Sequence, residues 1–209
     1  MPRPSGSRNR DYDATRRTLI DALSPHLLDN DGEPNTVKAL AATAGVSVPT
    51  LKHYFTDRDG VVQAVLQQAH AESERHLTAM TDRSGDDPQQ LLTGLLIDIA
   101  DTWRRHGLGR LFASTLALGL ENRTLGPTFV NELLEPLLQA VEQLLAGLVN
   151  EGALPPVDLR TAALGLVGPV LLALLHQDNL SGAHCRPLEV EHFARQHVHL
   201  ILHGLLHAP

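Results

Sequence analysis

One stretch constrains this chain more than any other: residues 36–55, TVKALAATAGVSVPTLKHYF. It sets a small residue, Ala41, four positions before Gly45, with Leu51 six positions further on. That spacing suits two short helices crossing at a sharp turn. Ala41 belongs at the crossing, where a larger side chain would push the second helix away. Gly45 falls where the chain turns and a residue free to take φ > 0 is useful. Leu51 faces inward from the second helix, Val46 and Leu51 cover the hinge, and Val37 and Leu40 supply the core face of the first. The pattern reads as a helix-turn-helix, a geometry that lays the N-terminus of its second helix in the major groove of DNA.

The polar residues agree. Asn35 or Thr36 suits the cap of the first helix and Ser47 the cap of the second. Pro49 falls in the first turn of that helix, where a missing N–H costs little. Val48, Thr50, Lys52, His53 and Tyr54 are left facing outward. Thr and Lys reach base edges, and a Val or Thr methyl packs on thymine. Lys52 and Tyr54 suit phosphate oxygens, which position a protein without reading sequence. The chain has only two lysines, Lys38 and Lys52, and both fall in this segment. The candidate DNA-contacting set is therefore Thr36, Lys38, Ser47, Val48, Pro49, Thr50, Lys52, His53 and Tyr54. The same spacing also occurs in proteins that never touch DNA; the coincidence of caps, a lysine and a terminal Tyr-Phe favours DNA here.

Residues 15–65 resemble the N-terminal domain of the TetR (tetracycline-repressor-like) family of transcriptional regulators. The resemblance rests on TRRTLIDALSPHLL, on TVKALAATAGVSVPTLKHYF and on TDRDGVVQAVL, and most specifically on Leu51-Lys52-His53-Tyr54-Phe55. It implies an all-α chain with a three-helix DNA-binding domain followed by a helical domain for effector binding and dimerisation. It further implies that Tyr54 contacts backbone phosphate with Phe55 packed under it. Lys52 stands where an aromatic is commoner and Pro49 where glycine is commoner, and the first helix carries Pro25; these leave the operator sequence open.

The net charge of −7 argues against DNA until its distribution is read. Residues 1–60 hold eight basic and eight acidic side chains, so the whole excess lies further on. Arg3, Arg8, Arg10, Arg16 and Arg17 cluster at the start. Residues 1–10 are expected to be a flexible basic arm, either touching phosphate or an adjacent minor groove or simply solvated. The expected organisation is this arm, a DNA-binding domain over 11–57, and a helical domain over 58–209.

The remainder shows helical spacing throughout, for about nine helices in all. The first is expected near 12–29 with Leu19, Ile20, Ala22, Leu23 and Leu27 inward, and a fourth near 58–80 after the helix-turn-helix. Others fall near 88–106, with Leu92, Leu95, Leu96, Ile99 and Trp103 inward, and near 108–121, with Leu111, Phe112, Thr115, Leu116 and Leu120. A long one near 127–151 should kink or split at Pro136. One near 156–178 carries Pro169, and a last one spans 188–206. The final two are apolar over wide arcs, which suits burial on more than one side. The resemblance implies that they form a four-helix bundle with a second copy, matching two recognition helices to a palindrome; the plainer alternative is that they close the monomer core.

The resemblance also implies a ligand pocket. Its candidate lining is Leu95, Ile99, Trp103, Phe112, Leu116, Val130 and Leu134, with Asp98, His106, Asn131 and Gln139 as polar contacts, for a hydrophobic or amphipathic effector. Singly, each of these reads equally as core. Release from DNA would pass along the fourth helix, near whose start Gly60 lies. His199, His203 and His207 step by four, with His192 nearly aligned, a spacing that suits zinc. No carboxylate completes a set, so no metal and no cofactor are expected. No phosphate loop, HExxH or nucleophile turn is present, and no enzyme is expected. The lone Cys185, the lack of an apolar run behind the N-terminal arginines, and the lack of about eighteen consecutive uncharged apolar residues fit a cytoplasmic protein with no membrane partner. Two alternatives stay open: a helical DNA-binding or scaffolding protein without an effector, and a helical binding protein that has lost DNA recognition.

Overall fold

A computed structural model of the chain describes residues 7–28, 36–81, 87–105 and 107–206. These residues are helical, with no strand among them. In chain order they are α1 (Ser7–Leu28), α2 (Val37–Thr43), α3 (Val48–Phe55), α4 (Arg58–Thr81), α5 (Pro88–Arg105), α6 (Leu108–Glu121), α7 (Leu125–Phe129), α8 (Glu135–Asn150), α9 (Leu159–Leu174), α10 (Gly182–Cys185) and α11 (Val190–Leu206). Two π-helical turns, Val130–Leu134 and Leu175–Asn179, lead into α8 and out of α9.

Among the described residues the count exceeds nine for two physical reasons. Pro136 has no N–H to give Glu132 and its ring crowds that carbonyl, so the expected long helix breaks into α7, a π turn and α8. The loop after α9 also folds one short turn, α10. The extra residue in the π turn shifts the helical phase, which leaves Val130 partly exposed while Leu138, Val141, Leu144 and Leu145 are buried. Ala22 and Leu120, expected inward, are exposed, and so is Leu200.

Pro169 acts differently: α9 runs through it. A proline at 169 withholds the N–H that the Gly165 carbonyl would otherwise accept. His197 of α11 supplies the substitute, its Nε2 lying 3.0 Å from the Gly165 oxygen and 3.1 Å from that of Leu166. Two carbonyl partners fix Nε2 as the protonated nitrogen.

The chain packs as two compact units. The first comprises residues up to Ala69 together with Ser114–Phe129. Its core is Leu19, Ile20, Leu23 and Leu27 of α1, Leu40 and Ala41 of α2, Leu51 and Phe55 of α3, and Val61, Val62, Val65 and Leu66 of α4. Each such aliphatic side chain contributes roughly 1.5–3 kcal/mol by leaving water. Asn122 Nδ2 donates to Asp59 Oδ2 (2.7 Å), and Gly119 and Gly126 approach so closely that a Cβ on Gly126 would sit 3.0 Å from the Gly119 oxygen.

The second unit comprises His70–Ala113 and residues from Val130 onward. Its core joins Leu92, Leu95, Leu96, Ile99 and Trp103 of α5 to Leu138, Val141 and Leu145 of α8, Ala163, Leu166, Val167, Val170 and Leu174 of α9, and Val190, Ala194 and Val198 of α11. The segment Leu159–Asn179 is long and apolar enough to cross a membrane by length and composition alone, with mean hydropathy 1.6. Here its inner face packs in the core of this unit.

Candidate nucleic-acid interface

The turn between α2 and α3 is built by one glycine and two backbone hydrogen bonds. Gly45 takes φ 65°, the left-handed region. Its N–H donates to Ala42 O (3.1 Å) and the Val46 N–H to Ala41 O (2.9 Å). This pairing closes a helix with its last carbonyls satisfied. A Cβ at Gly45 would meet nothing within 4 Å, so backbone conformation, not space, selects glycine here. Ala41 and Leu51 are both buried at the crossing, as their spacing demands.

Both helices are capped by side chains. Thr36 Oγ1 accepts from the Ala39 N–H and Ser47 Oγ from the Thr50 N–H, each at 3.2 Å. The Ser47 and Thr50 hydroxyls are also 2.8 Å apart. Pro49 lies in the first turn of α3, where its absent N–H leaves no gap. Asn35 lies outside the described residues.

With Leu51 and Phe55 buried, α3 turns its other face outward. Thr36, Lys38, Ser47, Pro49, Thr50, Lys52 and His53 are exposed, and Val48 and Tyr54 are half-buried. The fold thus brings the expected set onto the solvent-facing side of α2 and α3, with hydroxyls, two ammonium groups and an imidazole available to a partner.

Sequence reasoning missed the aromatic support from α1. The Tyr12 ring stacks on Tyr54 (centroids 4.7 Å apart, planes at 30°), and His53 meets both rings edge-on, at 5.8 and 5.1 Å. Tyr54 and Phe55 rings lie 6.4 Å apart. The Arg16 guanidinium lies over the buried Phe55 ring, 5.4 Å from its centroid, a cation–π placement. Arg16, one of the arginines clustered towards the start of the chain, is therefore engaged with α3. The signal was available in outline: Tyr12 and Arg16 are four apart, on one face of a helix. Residues 1–6, and the side chains of Arg8 and Arg10, lie outside the described residues.

Gly60 has a packing role. A Cβ there would stand 1.9 Å from the Phe55 carbonyl oxygen. Asp57 Oδ1 accepts the Gly60 N–H (2.8 Å) and so caps α4. Between them, Thr56 holds φ 67°, an uncommon value for a non-glycine residue. The α3–α4 joint is thus tightly specified.

The expected effector residues divide between the units. Leu95, Ile99, Trp103 and Phe112 are buried in the second, where the Trp103 and Phe112 rings lie 5.1 Å apart. Leu116 is half-buried in the first. Leu134 is half-buried in the second, while Val130 is 37% exposed there. Asp98 is half-buried, Asn131 and Gln139 are exposed, and His106 lies outside the described residues. A cavity of about 300 Å³ in the second unit is lined by Trp103, Arg104, Arg105, Gly107, Gly109, Arg110, Asp178 and Asn179, and takes in Trp103 alone of the expected lining. Among the described residues no three His, Cys, Asp or Glu side chains cluster as metal ligands. His199 and His203 meet edge to face, 4.1 Å apart, and His207 lies outside the described residues.

No protein-family model matches the chain. A curated relative, the HTH-type transcriptional regulator BetI of Cronobacter sakazakii, is 30% identical over 90 residues, covering 35% of this chain and 45% of the relative. The match therefore spans less than half of that relative's length. Solved structures align over nearly the whole chain. One from Mesorhizobium loti, assigned to the TetR family of transcriptional regulators, gives a TM-score of 0.78 at 19% identity over 92% of this chain and 96% of that one. Thermus thermophilus FadR, a TetR-family repressor in complex with lauroyl-CoA, gives 0.66 at 19% identity over 93% and 96%. Bacillus subtilis FadR with stearoyl-CoA gives 0.65 at 16% identity over 90% and 98%.

Proposed function

We propose that this chain, which carries the fold of TetR-family transcriptional regulators, is a member of that family. On this reading it binds a palindromic operator as a homodimer and represses transcription until a hydrophobic or amphipathic small molecule releases it. One observation carries the DNA reading. A capped recognition helix presents Ser47, Thr50, Lys52 and His53 to solvent while Leu51 and Phe55 anchor it from behind.

Dimerisation is supported by what α9 and α11 leave uncovered. Their inner faces fill the core of the second unit, yet Leu164 is 45%, Leu172 66% and Leu200 69% exposed. Leu164 and Leu172 are eight apart and share one face of α9. Leucines left in water on two adjacent helices suit a second copy of the same surface.

The effector reading rests on the apolar cluster Leu95, Ile99, Trp103 and Phe112 and on the acyl-CoA ligands held by two proteins of like fold. An acyl chain of such a ligand matches an apolar lining. A ligand that favours the conformation unable to bind DNA shifts the population by its differential affinity alone.

The test is titration of labelled DNA from the chain's own upstream region at several salt concentrations, with and without stearoyl-CoA. We expect tight binding that stearoyl-CoA weakens. Lys52→Ala should weaken binding several-fold and flatten the salt slope by about 0.9 for the lost phosphate contact. Unchanged affinity and slope in that variant would remove Lys52 from the interface. Binding indifferent to stearoyl-CoA and to other acyl ligands would favour the alternative of a DNA-binding protein without an effector.

A further inference from the structure

α3 is eight residues long, and only Leu51 and Phe55 of it are buried. A helix of two turns has little stability of its own, so what lies against it decides how well its outward side chains are placed. Rotamer freedom left in such a side chain must be given up on binding, which weakens association. In the last turn Lys52 and His53 are exposed and Tyr54 is half-buried. Tyr54 is thus the outward residue of that turn on which the fold has a hold.

The hold comes from α1. The inward stripe of α1 runs back through Leu27, Leu23, Ile20 and Leu19, all buried, and continues at helical spacing to Arg16 and Tyr12. Where another aliphatic residue would extend the core, the stripe ends in a cation and a phenol, both half-buried. Each meets a different ring at the end of α3. The Arg16 guanidinium lies over Phe55, 5.4 Å from its centroid, and Tyr12 stacks on Tyr54 with centroids 4.7 Å apart. Contacts to two successive residues fix the register of α1 against α3. Tyr54 is bordered by three rings: Tyr12, His53 at 5.1 Å and Phe55 at 6.4 Å. These are separations that aromatic pairs favour. Tyr12 also meets His53 edge-on at 5.8 Å. It is the member of this group that comes from another helix, and it borders both outward residues. Tyr12 and Tyr54 are the two tyrosines of the chain, so the stack takes in both.

We propose that Tyr12 is a positioning residue for DNA recognition: by stacking on Tyr54 and bracketing His53, it presets the side chains with which the end of α3 meets the DNA backbone. This rests on the DNA-binding reading given above. Tyr12 acts through Tyr54 and His53, not by a DNA contact of its own. Backbone contacts fix the register of a protein on the duplex, so a preset Tyr54 also sets where Thr50, on the same short helix, falls against the bases.

The test is a double-mutant cycle on the full chain, read by titration of a labelled genomic fragment that the parent protein selects. Tyr12→Ala should weaken binding about two- to tenfold, the range for ordering one freed side chain. Tyr12→Phe keeps the ring and should retain the parent's affinity. In a Tyr54→Ala background Tyr12→Ala should cost nothing further, because residues that act through one another are not additive; a merely structural contact would not give that coupling. Near-ultraviolet circular dichroism of the DNA-free proteins reads the stack itself, and Tyr12→Ala should lose the tyrosine signal of the parent. Tyr12→Leu, which keeps apolar bulk, replaces Tyr12→Ala throughout if that variant does not fold. Full affinity in Tyr12→Ala would overturn the proposal. So would a loss as large in Tyr12→Phe, or one that adds to that of Tyr54→Ala, since either would mean that the Tyr12 hydroxyl or the domain as a whole is what matters. A parent protein that selects no fragment would overturn the DNA-binding reading, and this role with it.

Discussion

At the scale of single residues, two glycines show how differently the absence of a side chain is used. Gly45 is selected by its φ of 65° in open space, and Gly60 by the Phe55 oxygen that a Cβ would meet at 1.9 Å. Gly45→Ala should cost about 1–2 kcal/mol, the penalty of a left-handed residue, read as a lowered melting temperature. Gly60→Ala should cost more, since backbone must move to admit the methyl, and should also weaken DNA binding by displacing α3 from α4. Equal melting temperatures for both variants and the parent would contradict these assignments. Gly45 was legible from spacing because turns of this kind have one recurrent geometry. The reason for Gly60 was not, because a contact with the Phe55 carbonyl exists only once α3 and α4 are placed. The same holds for Tyr12 and Arg16, whose partners, Tyr54 and Phe55, are some forty residues away in the chain.

At the scale of helices, apolar periodicity located α5, α6, α9 and α11 well, since each buries a continuous face. Where it met proline, the pattern left the outcome open: a kink or a split was expected at Pro136. Pro136 replaces one expected helix by two with a π turn between them, while Pro169 leaves α9 unbroken because His197 serves the freed Gly165 carbonyl. Which of these a proline does is decided by its neighbours in space, and so is invisible in a linear pattern. His197→Ala should destabilise the protein by roughly 1–3 kcal/mol by stranding that carbonyl, whereas His197→Gln, which keeps a donor, should recover part of the loss. Thermal unfolding of the two variants checks this; equal losses would mean the ring contributes only packing against Phe193, 5.7 Å away.

At the scale of the whole molecule, the helix-turn-helix and the all-α class were readable because they depend on local rules of spacing, capping and turn chemistry. The candidate effector residues were less so: apolar helical residues line cores and pockets alike, and Leu95 and Ile99 are as buried as any core residue. The exposed leucines speak to assembly. Leu172→Glu and Leu200→Glu, each placing a charge on the uncovered face of α9 or α11, should convert a dimer into a monomer of 22.7 kDa by light scattering while leaving helix content unchanged. A mass that stays double in the combined variant would move the interface elsewhere.

Sequence-specific DNA binding by a two-fold dimer is open to a direct measurement. Selection of genomic fragments by the purified protein at moderate salt, followed by footprinting, addresses it directly. We expect recovery of a palindromic site whose protected half-sites are spaced by about one helical turn or a multiple of it. Binding that shows no sequence preference and vanishes as salt is raised would contradict it.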